Sequence, residues 1–457
     1  MEDLPNDLES LKALIKQLLE KIAQLEAENA ELRRRLGLDS DNSHKPPSSD
    51  GLKKKTTQPG LPKNKNSTNG GQPGHKGNTL KRVAKPDVVK VHLPQQCQCC
   101  GRQFAPDEAH KIIQSRQVFD LPKPKLEVTE HRLAQVECCG HIQHGEYPPE
   151  VTASVQYGPG VRALVTKLSV DHKMPLGQIS QLFEDMYGYD LNSATVEDAL
   201  ERAYELAEPV EAQIVARLAE AELAHFDETG VRVAGKLHWL HGVSTDTLTH
   251  LFVHDKRGAE ALNSDASVLK DFNGVAVHDC WLPYFNFTQA QHVLCGAHLL
   301  RELQGLWENG SLWAEDMHGF LLALYNMPRP LVDDEQVRLH YRLILDQADR
   351  EEPPPQRAKR GKPKQSKGRN LLNRLREHQA GVLAFALEPG IPFTNNQAER
   401  DLRPAKVKQK VSGCFRTRQG ADVYARLQAA VSTFRKQDLN VFATLRDLFS
   451  YAPVVLA

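Results

Sequence analysis

Two acidic residues lie where they could hold divalent metal ions for phosphodiester chemistry. Asp227 stands in the middle of a strand-like segment, HFDETGVRV, and Asp279 ends an apolar strand-like segment in which Val275, Ala276 and Val277 precede His278. If the two strands are neighbours, the carboxylates lie close together, and like charges at that separation are costly unless a cation lies between them. Mg²⁺ (or Mn²⁺) suits this role because it binds through one or two carboxylates plus water and substrate phosphates. Two such ions can clamp the attacking and leaving oxygens of an in-line displacement.

The best candidate for a third carboxylate is Glu399, in TNNQAERDLRP, on a predicted helix that opens after Asn395 and Asn396. Asp401 is the competing acid, but two positions along a helix it lies on a different face. Several basic residues nearby are candidates for contacts with DNA phosphates: Arg400, Arg403, Lys406 and Lys408.

Three further residues accompany the second acid. His278 is expected to point to the opposite strand face from Asp279 and to serve in packing, because side chains alternate along a strand. Trp281 and Tyr284 either stack on bases or fill the core, and the sequence does not distinguish the two.

The pattern around these acids predicts an α/β domain from residue 223 to 450. Alternating apolar and polar residues form three strand-like segments, AHFDETGVRV, KLHWLHGVST and TLTHLFVHDK, joined by short turns. A helical stretch near 259–270 and an apolar strand, GVAVHDC, follow. Three hairpin strands, a helix and a returning central strand are the opening of a ribonuclease-H-like fold.

Cysteines are concentrated in two places within 88–150, a short region that reads as a β-rich module. Cys97 and Cys100 have the two-residue gap of a metal knuckle, whereas Cys138 and Cys139 are adjacent and His141 follows. A structural Zn²⁺ needs four nitrogen or sulfur ligands. We therefore predict a zinc site formed by Cys97, Cys100, Cys138 and either Cys139 or His141, with reduced cysteines in a small core as the alternative.

The N-terminal segment has heptad periodicity over residues 7–37. Leu8, Ile15, Ile22, Asn29 and Leu36 recur every seven residues, with leucines filling the second seam. This pattern favours a parallel two-stranded coiled coil, hence a homodimer, in which Asn29 fixes the register. A single helix docked on its own protein is the alternative.

Between the coiled coil and the α/β domain, two more regions are predicted. Residues 40–86 are rich in Ser, Pro, Gly, Asn and Lys, which indicates a flexible basic linker. Residues 158–222 read as helices, near 161–171, 176–187 and from Ser193 onward, with a turn at Gly188 and Asp190. Their spacing allows a helix-turn-helix whose recognition helix starts near Ser193, although helix pairs of this kind also serve only in packing.

The formal net charge of +0 conceals strong segregation of charge. Nine Lys and Arg residues and no acid lie between Gly51 and Pro86, and nine more without an acid lie between Arg357 and Arg376. Such local tracts attract phosphates. No apolar segment is long enough to predict a membrane span, no signal peptide is apparent, and the clustered cysteines suit a reducing compartment. We therefore expect a cytoplasmic protein.

The order of these motifs resembles a known family over essentially the whole chain. The chain resembles the TnpC-type transposases of the IS sixty-six insertion-sequence family. The resemblance rests on these motifs, in this order: the coiled coil, NSHKPPSSD, the cysteine knuckles, HFDETGVRV, VHDCWLPYF, Cys295 and His298 with Arg301, and NNQAERDLRP. The resemblance implies that Asp227, Asp279 and Glu399 are a DDE triad. It also implies that His298 and Arg301 approach the scissile phosphate or steady the active-site helix, which is a stronger reading than a metal site at Cys295 and His298.

The same resemblance accounts for the long gap between the second and third acids as a helical insertion, here about 300–390. The predicted function is metal-dependent cleavage and strand transfer of double-stranded DNA at the ends of an insertion sequence, with small accessory proteins of the same element as possible partners. The alternative is a dimeric, zinc-containing DNA-binding regulator whose nuclease-like domain is inactive.

Overall fold

The structure is a computed structural model that describes residues 12–22, 24–25, 80–107, 109–328, 334–355 and 365–457. Much of the predicted coiled coil, including Asn29, lies outside the described residues, as do most of the predicted linker and the first part, 357–364, of the basic tract between Arg357 and Arg376. Residues 12–22 and 24–25 are helical. Apolar side chains on this helix are about half exposed: Ile15, Leu18, Leu19, Ile22 and Leu25.

The cysteine-containing region at 88–150 was predicted to be β-rich, but its described residues have little regular structure, so that prediction is wrong. Strands β1 (Gln135–Cys138) and β2 (His141–His144) form a two-stranded antiparallel hairpin. Around the first pair of cysteines, Cys97 N–H donates to the Arg102 carbonyl over 2.8 Å and Gly101 N–H donates to the Cys97 carbonyl over 2.9 Å. The chain therefore forms a tight turn at 97–101 of the kind that a metal knuckle uses.

Helices α1 (Pro159–Val170), α2 (Leu176–Tyr187), α3 (Ser193–Leu206) and α4 (Glu208–Ala219) follow the hairpin, so the three helices predicted here are confirmed. Gly188 ends α2 in the left-handed conformation, with φ of 71°. The Asn192 side chain caps α3 by accepting from Ala194 N–H. Phe183, Ile179 and Val196 lie in the small core that packs α1, α2 and α3 together.

The exposed side chains of α3 bear on its predicted role as a recognition helix. Glu197, Asp198 and Glu201 are exposed, and Arg202 pairs with Glu205 on the same helix. An acidic face of this kind is repelled by DNA phosphates. The charge of α3 therefore gives no support to its insertion into a DNA groove.

A five-stranded mixed sheet forms the centre of the chain. Its strands are β3 (Leu223–Val233), β4 (Lys236–Ser244), β5 (Thr249–His254), β6 (Val275–His278) and β7 (Gln291–Leu294), in the order β5-β4-β3-β6-β7. The three predicted hairpin strands are antiparallel, and β6 returns parallel to β3, as expected. Ala234 and Gly235, both at positive φ, form the two-residue turn between β3 and β4.

A helical segment separates β7 from the helix that carries Glu399. The short helix α5 (Ala259–Leu262) lies earlier, between β5 and β6. The segment after β7 contains α6 (Gly296–Trp307), α7 (Leu312–Asn326), α8 (Asp334–Glu351), α9 (Lys367–Glu377) and α10 (Gln379–Leu387). These helices bury their own apolar core around Trp313, Tyr341 and Leu372. A helical insertion at about 300–390 was predicted, and the described residues in that interval are predominantly helical.

Three helices complete the fold: α11 (Asn396–Ser412), α12 (Arg418–Lys436) and α13 (Val441–Phe449). Helix α11 lies against β3 and β4, and α12 lies against β5. Phe434, Leu427 and Val431 of α12 share a core with Phe226 and Ala224 of β3. In the part of the chain that the structure describes, no helix is long and apolar enough to cross a membrane.

Candidate active site

The register of the two central strands brings Asp227 and Asp279 together. Strand β3 pairs in parallel with β6, with Leu223 opposite Val275, Ala224 opposite Ala276 and His225 opposite Val277. Continued along both chains, this register sets Asp227 level with Asp279, which directly follows the last residue of β6. Because neighbouring strands are about 4.8 Å apart, the two acids lie close together, and the charge of Asp279 acts on Asp227.

Glu399 lies in the first turn of α11, on the helix that packs over β3. One of its oxygens, Oε1, lies 3.7 Å from an Nη atom of Arg301 and 3.9 Å from Nε2 of His298. Both of these side chains come from α6, which begins two residues after β7 ends. The structure thus brings His298 and Arg301 close to Glu399, and their role at the scissile phosphate or in steadying the active-site helix stays a prediction.

The competing acid, Asp401, is used elsewhere. Its Oδ2 accepts from Lys436 Nζ at 2.7 Å, and its Oδ1 accepts from the Ser432 hydroxyl at 3.3 Å. Both partners belong to α12, and the Asp401 side chain is only 10% exposed. Asp401 therefore joins two helices, which leaves Glu399 as the acid of this segment that faces the site.

The electrostatics of Asp227 reflect the convergence of acids. Burial raises the pKa of Asp227 well above its ordinary value, and the negative charges of Glu228, Asp279 and Glu399 raise it further. A hydrogen bond from Glu228 N–H to Asp227 Oδ1 acts in the opposite direction but does not compensate. A site that repels its own charges in this way is suited to a bound cation.

The donor set fits Mg²⁺ or Mn²⁺ in chemical type, since all three candidate ligands are carboxylates. As the side chains are placed, however, no group of three or more His, Cys, Asp or Glu residues within the described ranges lies close enough to hold a metal ion. Glu399 is directed toward Arg301 and His298 instead. Metal ligation by Asp227, Asp279 and Glu399 stays a prediction.

The aromatic residues after Asp279 pack in the interior. His278 is fully buried, its ring stacks on Tyr284 with centroids 4.6 Å apart, and its Nε2 lies 3.0 Å from Nδ1 of His292. The prediction that His278 serves in packing is confirmed. Tyr284 is 1% exposed and so fills the core, whereas Trp281 is partly exposed and packs edge-on against it.

A second acid beside Asp227 was missed from the sequence. Glu228 points to the opposite face, where its side chain is fully buried and accepts from the Tyr284 hydroxyl at 2.6 Å and from Arg257 Nε at 2.7 Å. Arg257 itself lies between the rings of Trp239 and Trp281, 4.9 and 4.2 Å from their centroids. The Asp-Glu dipeptide was the available signal, because alternation along a strand places its two carboxylates on opposite faces.

The basic residues of α11 divide into two groups. Arg400 and Arg403 are exposed, so they are available to DNA phosphates. Lys406 and Lys408 are half-buried, burial lowers the pKa of each, and Lys406 Nζ donates to the Gly230 carbonyl. Lys406 therefore helps to attach α11 to β3, a role that its place in a basic sequence did not indicate.

The predicted zinc ligands are not gathered into one group of three within the described residues. Cys138 and Cys139 are exposed, with their sulfurs 3.6 Å apart, and Cys138 pairs with His141 across the hairpin. In the other turn, hydrogen bonds from Cys100 and Cys99 lower the pKa of Cys97. Zinc binding by Cys97, Cys100, Cys138 and either Cys139 or His141 stays a prediction.

Cys295 does not form a metal site with His298 in this structure. Its sulfur is buried and accepts from Asn395 N–H at 3.1 Å, and burial raises its pKa to about 11. A protonated thiol that accepts a backbone hydrogen bond is a structural group.

Comparisons with known proteins give the class and then the family. Residues 154–423 match the model of the family described as "Transposase IS66 family". This match spans more than half of the chain, so the protein is a transposase by class and belongs to the IS66 family. Residues 2–81 match a family of unknown function, DUF6444. No curated protein matches the chain.

Proposed function

We propose that this transposase is a DDE enzyme that cleaves DNA at the ends of its insertion sequence and transfers the freed strand to target DNA. The proposal depends above all on one observation: the parallel register of β3 and β6 leads to Asp227 and Asp279, and the charges of Asp279 and of Glu399 in the first turn of α11 both raise the pKa of Asp227. The strand order β5-β4-β3-β6-β7, with one antiparallel meander and two parallel strands, supports a ribonuclease-H-like catalytic domain.

The reaction exchanges phosphodiester bonds. Water first breaks one phosphodiester bond at the element's end and leaves a 3′-hydroxyl, which then attacks a target phosphate and displaces the target strand's own 3′-oxygen. Two divalent ions held by Asp227, Asp279 and Glu399 would activate the nucleophile and stabilise charge on the attacking and leaving oxygens. Arg301 and His298 hold the Glu399 carboxylate in place, and Arg400 and Arg403 offer positive charge to the DNA backbone.

Several finer features belong to the same proposal. The half-exposed apolar side chains of the N-terminal helix support a homodimer through the coiled coil, which would hold two element ends together. A structural Zn²⁺ at the cysteine pairs, small accessory proteins of the same element and a cytoplasmic location are further parts of the proposal.

The test uses purified full-length protein and a labelled duplex that carries the element's ends, incubated with Mg²⁺, Mn²⁺ or EDTA. We expect products only with metal, and a loss of at least about 10³-fold in Asp227→Asn, Asp279→Asn and Glu399→Gln, since ligation by all three acids is required. Asp255→Asn, whose side chain is exposed at the end of β5, is the matched control and should keep wild-type activity.

Two results would count against the proposal. Full strand transfer in any of the three variants would remove that residue from the triad. Binding of the duplex without any product, unchanged by the three substitutions, would favour a DNA-binding regulator with an inactive nuclease-like domain.

A further inference from the structure

Asn395, the residue before α11, is fully buried and touches three parts of the candidate active site. Its side-chain Nδ2 donates to the carbonyl of Phe226 at 2.7 Å, and its Oδ1 lies 2.9 Å from Nδ1 of His225. Both partners belong to β3 and directly precede Asp227. The Asn395 side chain therefore binds the strand that carries the first acid rather than capping its own helix.

The hydrogen-bond roles in this contact follow from the chemistry of the groups. The Phe226 carbonyl can only accept, so the nitrogen of the Asn395 amide faces it and the oxygen faces His225. His225 must then donate from Nδ1. Both halves of the amide are thus satisfied inside the protein, and a buried amide that loses such partners is costly.

The backbone of Asn395 makes a third contact. Its N–H donates to the sulfur of Cys295, the residue before α6, and two residues earlier the Phe393 carbonyl accepts from Gly296 N–H at 2.8 Å. Only glycine fits at position 296 without a shift of its neighbours, because a Cβ there would lie 2.2 Å from the Phe393 ring. The start of α6, which presents His298 and Arg301, is therefore fastened to the start of α11.

We infer that Asn395 is a positioning residue that fixes the first turn of α11, and hence Glu399, relative to Asp227 and to His298 and Arg301 of α6. The inference rests on the proposed role of Glu399 in catalysis. Glu399 is four residues beyond Asn395, about one helical turn, so a shift of the helix start moves its carboxylate directly. A misplacement of about 1 Å in an active site can cost about 100-fold in rate.

The experiment compares Asn395→Ala with Asn396→Ala, a substitution of the same type at the next residue, which is only partly buried. Three properties are measured on the full-length protein: metal-dependent cleavage of a DNA duplex that carries the element's ends, amide hydrogen exchange of residues 396–402, and the melting temperature. Asn395→Asp is the second variant, since it keeps the volume and the contact to His225 but cannot donate to the Phe226 carbonyl.

We expect Asn395→Ala and Asn395→Asp to cleave about 10- to 100-fold more slowly and to exchange faster at 396–402, with exchange in α7 and α8 unchanged. Asn396→Ala should stay within about twofold of wild type in both properties. Pairing Asn395→Ala with His225→Ala should cost less than the product of the separate losses, because the two residues share one hydrogen bond.

The inference would be overturned if residues 396–402 exchanged at the same rate in Asn395→Ala and Asn396→Ala. It would also be overturned if exchange in Asn395→Ala rose as much in α7 and α8 as at 396–402, since that pattern means a general loss of stability. If wild-type protein itself cleaves no DNA, the proposed function fails, and the exchange comparison alone decides whether Asn395 positions α11.

Discussion

Replacing Asp227 with asparagine should stabilise the metal-free protein while abolishing catalysis. Neighbouring strands place the carboxylates of Asp227 and Asp279 roughly 5 Å apart, and at an effective dielectric constant of about 20 two such charges repel by about 3 kcal/mol. Partial protonation of Asp227 already relieves some of this cost. We therefore expect Asp227→Asn to raise the free energy of unfolding by about 1–3 kcal/mol at pH 8 in EDTA, or roughly 2–4 °C in melting temperature per kcal/mol.

The pH dependence of this gain has a definite sign. Because the folded-state pKa of Asp227 is raised, protonation of its carboxylate stabilises the folded state. This stabilisation is fully present below the unfolded-state pKa and is lost as pH rises through the folded-state pKa. Asparagine does not titrate, so the advantage of Asp227→Asn should shrink from pH 8 to pH 5.

The assay is thermal unfolding of both proteins in EDTA across this pH range, with Asp255→Asn as the exposed control. A variant that is less stable than wild type at pH 8, or a gain that does not change with pH, would refute the reasoning that carboxylate repulsion strains the site. Added Mg²⁺ should stabilise the wild type more than Asp227→Asn, because one ligand is missing from the variant.

Three further predictions concern the surroundings of the site. Tyr284→Phe removes the hydroxyl that donates to buried Glu228, so urea unfolding should show a loss of about 1.5–3 kcal/mol; an unchanged midpoint would contradict this. Asp401→Ala leaves Lys436 largely buried without its partner and should cost about 3–5 kcal/mol by the same measurement; a cost below about 1 kcal/mol would show that the pair is solvated. Arg400→Ala combined with Arg403→Ala should weaken DNA binding and reduce the slope of log affinity against log salt by up to about 0.9 for each phosphate that is no longer neutralised; an unchanged slope would place DNA elsewhere.

The strands around the first acid were predictable because their pattern is local. Alternation in HFDETGVRV and the short turns of the meander identify three hairpin strands, and the apolar residues before Asp279 identify the fourth. The position of Glu399 near a helix start followed from the Asn-rich segment before it. These signals extend over ten residues or fewer, so they do not depend on how distant segments pack.

The roles that escaped prediction depend on long-range packing. The two partners of Glu228 are distant in sequence: Arg257 lies after β5 and Tyr284 lies after β6. The residues near Glu228 in the sequence do not predict either contact. Of the two asparagines before Glu399, only Asn395 reaches β3, and a doublet of identical residues cannot show which one turns inward. Lys406 belongs to a basic segment, yet its amino group is used to bind the Gly230 carbonyl.

The insertion is joined to the active site rather than appended to it. Its first helix, α6, presents Arg301 and His298 to Glu399, and the next residue along, Glu302, forms an ion pair with Arg374 of α9. Arg374 also contacts the thiol of Cys280, which directly follows Asp279. Two of the three candidate acids are thus linked through α6 and α9: Glu399 contacts Arg301 of α6, and the residue after Asp279 contacts Arg374 of α9. Because these contacts join distant segments of the chain, the helical segment between the second and third acids helps to set their relative positions without contributing a carboxylate of its own.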